Sequence, residues 1–216
     1  MIYIPSIKKH FSPTDTYARS EFIPHELSHN YGLYIEPIKI GNVQTALAKV
    51  KFIDALPADA TIDKLSLNIN FDENTISKIN IDLNREINGY YAQYYQPYYD
   101  VVQQDAIKEI NESLVKYIGE NIDVDDVTVE NTGTKHFGKN PLIVNAKISS
   151  TSYMERAGQK YIFKIGELIG PQAEMYQENE RKFDVENNFN RKYIRNLTFH
   201  IPECYYVKNL NDLNLD

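Results

Sequence analysis

The chain contains no tryptophan and one cysteine, Cys204, among its 216 residues. A lone thiol excludes a disulfide framework and leaves the redox compartment open. Its nine glycines and nine prolines are scattered rather than clustered, so no low-complexity linker or internal repeat divides the sequence. No apolar run approaches the ~20 residues of a membrane-spanning helix. Basic residues are outnumbered, 23 against 30, for a formal charge of −7. They form no stripe, which excludes a nucleic-acid footprint. Residues Met1 to Lys9 lack the charged, apolar and small-residue order of a signal peptide. The chain is therefore expected to be either cytoplasmic or a piece of a longer protein.

What is present in excess is tyrosine, 17 residues, together with clear two-residue alternation. Apolar runs over 33–40 and 43–53 flank Gly41-Asn42, a dipeptide suited to the positive φ of a tight hairpin turn. Leu65, Leu67, Ile69 and Phe71 alternate with polar residues, as do Ile79, Ile81 and Leu83, with a turn at 72–75 between them. A further strand is expected over 87–95. Only one segment has helical periodicity: Val102, Ala106, Ile107, Ile110, Leu114, Tyr117 and Ile118 share a stripe between Pro97 and Gly119. Pro97 suits the first turn and Gly119 the C′ position. Strand patterns resume at 124–129, 142–148, 161–165 and 197–201, with a polar connector over 131–140. Residues 167–181 read as a short helix or an extended loop. These patterns predict a mainly β (α+β) chain. Residues 33–122 form an antiparallel β-sheet domain covered by one long helix over 97–119. Residues 123–216 follow as a β-sandwich of immunoglobulin-like type.

The string His25-Glu26-Leu27-Ser28-His29 matches the HExxH pattern of zinc peptidases. There the two histidines ligate the metal from one helical face and the glutamate is the general base. Gly32 keeps metzincin spacing, but the third-ligand position is Ile35. Pro24 prevents a helix from running in from upstream. Only 24 residues precede His25, too few for the covering sheet, and Met154 and Met175 lie too far off for a Met-turn. A connecting turn is the favoured reading, with the zinc peptidase as the alternative.

Three other clusters carry candidate chemistry. Cys204 and His200 lie four apart, which in a strand is ~13 Å and beyond hydrogen-bond reach; a small buried side chain at a strand end is preferred. Glu120, Asp123, Asp125 and Asp126 lack EF-hand spacing and read as a solvated turn. The tyrosines at 90, 91, 94, 95, 98 and 99 are either a stacking platform or packing beneath the helix. Strand alternation would bury half of them. Tyr94, Tyr95, Tyr98 and Tyr99 are the candidate interaction surface.

Ile165 to Gln177, leading into Glu180-Arg181-Lys182, and then Arg195 to Glu203, together resemble the C-terminal β-domain of exported bacterial transglutaminase-like proteins. That family closes on Ile-Pro-Glu-Gly-Tyr-x-Val; here Cys204 replaces the glycine before Tyr205-Tyr206-Val207. Gly89-Tyr90-Tyr91-Ala92 is similar to the family's middle region. Phe11-Ser12-Pro13-Thr14 resembles the segment that ends its catalytic core, with Ser12 at the position of the catalytic aspartate. Phe22 to Leu33 is similar to the exit from that core.

The resemblance implies that residues 1–32 are a core remnant and that the family's catalytic cysteine and histidine would lie upstream. Without a carboxylate to orient the imidazole, such a pair would lose much of its activity. It further implies a non-catalytic structural or binding module, periplasmic or exported, making protein or glycan contacts with no catalytic residue, metal or cofactor. The sandwich is expected to lack its final strands, leaving an edge open to self-association.

Overall fold

The structure is a computed structural model that describes residues 1–15, 22–72, 74–171, 178–208 and 210–214. The chain begins with a small antiparallel hairpin, β1 (Ile2–Ile4) with β2 (Lys9–Phe11). A single 3-10 turn over His25–Leu27 leads into a long ribbon, β3 (Asn30–Ile40) paired with β4 (Val43–Ile53). The turn between them has Gly41 at φ 60°, as a primed hairpin turn requires.

The centre of the molecule is a five-stranded sheet. Its strands are β5 (Ile62–Phe71), β6 (Ile79–Ile87), β7 (Asp123–Glu130), β8 (Leu142–Ser150) and β11 (Lys192–His200), in the order β11-β5-β6-β8-β7. A further hairpin, β9 (Met154–Ala157) with β10 (Lys160–Phe163), stands apart from it. The chain is mainly β, as its alternation predicts. The expected boundary between 122 and 123 runs through this sheet, because β8 pairs directly with β6. Two half-buried hairpins complete one shared apolar face more fully than two separate sheets would. Antiparallel pairing is also broken once: β11 runs parallel to β5.

Alternation decides which side is buried. Leu65, Leu67 and Ile69 of β5, Ile79, Ile81 and Leu83 of β6, and Leu142, Val144 and Ile148 of β8 form one apolar face. Over it lies α2 (Gln104–Val115), which contributes Ile110, Leu114 and Val115, followed by a 3-10 turn carrying Ile118.

The expected helix over 97–119 is instead a 3-10 segment over Gln96–Asp100, a break at 101–103, and then α2. Tertiary hydrogen bonds account for the break. Gln96 Nε2 donates to the carbonyls of Asn131 and Asn140, both at 2.9 Å. Asp100 accepts from both the backbone N–H and the hydroxyl of Thr134. These bonds pin 96–100 to the 131–140 connector. Gly119 is extended at φ 164° rather than left-handed; a side chain there would meet the Tyr153 hydroxyl.

The strand expected over 87–95 is also replaced, by β6 ending at Ile87 and a short helix, α1 (Gly89–Gln93). Gly89 turns the chain at φ +59°, where a Cβ would lie 2.1 Å from the Ala60 carbonyl oxygen. Asn88 clamps the same corner, donating its N–H to the Ile62 carbonyl and accepting the Ile62 N–H on Oδ1. Backbone geometry at one glycine overrides the strand propensity of the tyrosines after it.

Candidate functional site

The helix covers one face of the sheet; the opposite face is polar and, among the described residues, uncovered. Register sets its side chains in rows across all five strands. One row reads Asn196, Ser66, Asn84, Asn145 and Thr128; the next reads Thr198, Asn68, Asp82, Lys147 and Asp126. These two rows line a shallow recess of about 440 Å³. Cross-strand hydrogen bonds hold the amides. Asn84 Nδ2 donates to Asn145 Oδ1 at 2.8 Å, and Asn145 Nδ2 donates to Glu130 Oε1 at 3.2 Å. On the β11 side, His200 Nε2 lies 2.6 Å from Asn68 Oδ1. The result is a rigid array of amides, hydroxyls and carboxylates around one ammonium group, Lys147, which sits in register between Asp82 and Asp126.

One end of the buried face is braced by charge. Asp63 accepts from Arg85 through both carboxylate oxygens and from Arg195 Nη2 at 3.2 Å. Arg195 also donates to the carbonyls of Asp63 and Ile169. The Arg85 guanidinium stacks on the Tyr117 ring at 3.6 Å. Burial, reinforced by the Asp63 charge, pushes the Tyr117 hydroxyl above its usual range. This network lies in the layer beneath β5, β6 and β11 and fixes their relative positions.

The HExxH residues do not form the helix the pattern needs. The 3-10 turn ends at Ser28, and His29 adopts φ 53°. His25 packs against Tyr90 and Phe189, whereas His29 lies edge-on to Phe52 at 5.3 Å. The i, i+4 relationship needed for shared ligation is therefore lost. Among the described residues, no group of three or more His, Cys, Asp or Glu is placed to hold a metal; the acidic run at 120–126 is not such a group.

Of the candidate tyrosines, Tyr94 and Tyr98 are exposed, while Tyr95 and Tyr99 are half-buried. Tyr95 packs against the core, and Tyr99 OH donates to Asn111 Oδ1 at 2.6 Å. Burial pushes the Tyr99 hydroxyl up to about 12. The division follows helical turns rather than strand alternation. Tyr90 is buried, meeting Phe22 at 5.5 Å and Phe189 at 4.9 Å, and donates its hydroxyl to the Ile23 carbonyl.

Cys204 is exposed rather than buried, in an irregular segment after β11. Ser12 is buried. Of the stretch expected to follow the transglutaminase-like pattern, 165–169 is a 3-10 turn and 172–177 lies outside the described residues; the expected exit segment, Phe22 to Leu33, holds the His25–Leu27 turn and the start of β3.

The polar face was legible only in part. The alternation that marks Leu65, Leu67 and Ile69 as core also marks Ser66 and Asn68 as outward. Their neighbours Asn196 and Asn145 come from strands 50 and more residues away, so the array exists only after register is set. No family model, curated protein or solved structure matches the chain.

Proposed function

We propose that the chain is a non-catalytic binding module whose open sheet face takes a glycan. One observation carries this reading: two rows of polar side chains, the first tied across strands by the Asn84–Asn145 and Asn196–Ser66 hydrogen bonds, line a shallow recess on the sheet face that α2 leaves uncovered. Amides and carboxylates pair with sugar hydroxyls, and groups already held on strands lose little freedom on binding. A protein partner would favour an apolar interface centre, which the two rows lack. An immunoglobulin-like sandwich would pack its second sheet on the apolar face, where α2 lies instead. The resemblance to exported transglutaminase-like proteins would place such a module in the cell envelope.

The test is a glycan array followed by calorimetric titration of each hit. Wild type and a Tyr94→Ala/Tyr98→Ala variant should bind alike, and an Asn84→Ala/Asn145→Ala variant should lose binding. Loss in the tyrosine variant alone would move the site to that surface. No binding to any glycan would sink the proposal.

A further inference from the structure

The β3–β4 ribbon joins no other strand among the described residues, and its two faces differ. One face presents Tyr34 to the β1–β2 hairpin. There Tyr3 meets the Tyr34 ring edge-on at 5.5 Å, and His10 Nε2 lies 2.9 Å from its hydroxyl. The other face carries the cross-strand pairs Tyr31–Phe52, Leu33–Val50, Ile35–Ala48 and Pro37–Ala46. Its five large side chains are between 41% and 71% exposed. An apolar strip of this kind marks an interaction surface, and a lone two-stranded ribbon has little stability of its own.

We infer that the occupant of this strip is a second copy of the chain, with the two ribbons packed face to face and antiparallel about a two-fold axis. Three features favour self-association. The strip tapers, with Tyr31 and Phe52 at its base and Ala46 and Ala48 towards its tip. In an antiparallel dimer, each aromatic end covers the small-residue end of its partner, and the same patch serves both copies. Opposite charges also flank the ribbon: Lys39 lies near its tip and Asp54 just past its base, and an antiparallel arrangement brings each to the same end as the other from the partner copy. Area is the third feature. Five large side chains at on the order of 100 Å² each give two copies about 1,000 Å², the lower bound for a specific interface. This inference is independent of the glycan reading, and the strip itself includes no residue of the polar face.

Sedimentation velocity of the full chain over roughly 1–100 µM should show a reversible monomer–dimer equilibrium of micromolar strength. Ile35→Glu, at an exposed position, should keep the native circular dichroism and raise the dissociation constant on the order of 100-fold. Lys39→Asp and Asp54→Lys should each weaken the dimer, and the double variant should recover it. A monomer throughout that range would overturn the inference and leave the strip to a different partner. So would a dimer indifferent to Ile35→Glu, or one abolished instead by Thr198→Pro, which would assign association to the open β11 edge.

Discussion

Asp63 accepts two parallel hydrogen bonds from Arg85, Nε to Oδ1 and Nη2 to Oδ2, both at 3.0 Å, and neither side chain is more than 6% exposed. Arg195 shares the same carboxylate, so two cations depend on one anion. Asp63→Ala should therefore cost about 3–5 kcal/mol, because it strands two buried guanidinium groups. Arg85→Met leaves the Asp63–Arg195 pair intact and should cost only about 1–2 kcal/mol. Urea unfolding of both variants checks the asymmetry; equal losses would refute it.

Neighbouring residues on opposite sheet faces should respond very differently. Leu83 is buried beneath the helix, and its replacement by alanine should cost about 2–5 kcal/mol. Asn84→Ala removes one partly exposed hydrogen bond and should cost about 1 kcal/mol or less. Thermal melts would show whether the polar face can be altered without loss of fold.

Gly89 and Gly158 both adopt positive φ, but only Gly89 is crowded, by the Ala60 backbone; Gly158 has open space around it. Gly158→Ala should cost about 1–2 kcal/mol from backbone strain alone. Gly89→Ala must also displace the β5 corner, so a loss clearly larger than at Gly158 is expected in the same denaturant series.

Alkaline stability should report the buried phenols. Burial, with a smaller contribution from the Glu26 charge, raises the Tyr90 hydroxyl from 10.0 to about 12. The native state favours the neutral form, so its contribution is complete below pH 10 and is lost as pH rises through about 12. Tyr90→Phe should lower stability at neutral pH by about 1 kcal/mol through the lost bond to Ile23. It should also flatten the pH dependence between 10 and 12. An unchanged slope would show that Tyr90 does not govern it.

His25 and His29 face different aromatic neighbours, so chelator treatment should leave the melting temperature unchanged. One equivalent of tightly held zinc, lost in His29→Ala, would require the turn to reorganise into a helix and would revive the peptidase reading.

Local pattern anticipated the β3–β4 hairpin with its Gly41-Asn42 turn, the pairing of β5 with β6, and β8, because each is written in adjacent residues. It failed over 87–95, where the strand propensity of Tyr90 and Tyr91 lost to a glycine conformation imposed by Ala60. It overextended the helix over 97–119, because the bonds from Gln96 and Asp100 to 131–140 cannot be read from periodicity. Aromatic density points to Tyr94, Tyr95, Tyr98 and Tyr99 and away from the polar array, whose single outward Asn and Ser residues look in sequence like ordinary solvated positions.

Strand alternation already dictates which residues of each strand face inward, since alternating side chains leave the backbone no other way to bury its apolar half. It also dictates the apolar strip on the β3–β4 ribbon, for the same reason. Long-range packing set β11 parallel to β5, joined both halves of the chain in one sheet and, among the described residues, left one face uncovered. Those outcomes depend on long-range pairing and on a buried carboxylate holding two arginines 22 and 132 residues away. No local pattern encodes that geometry.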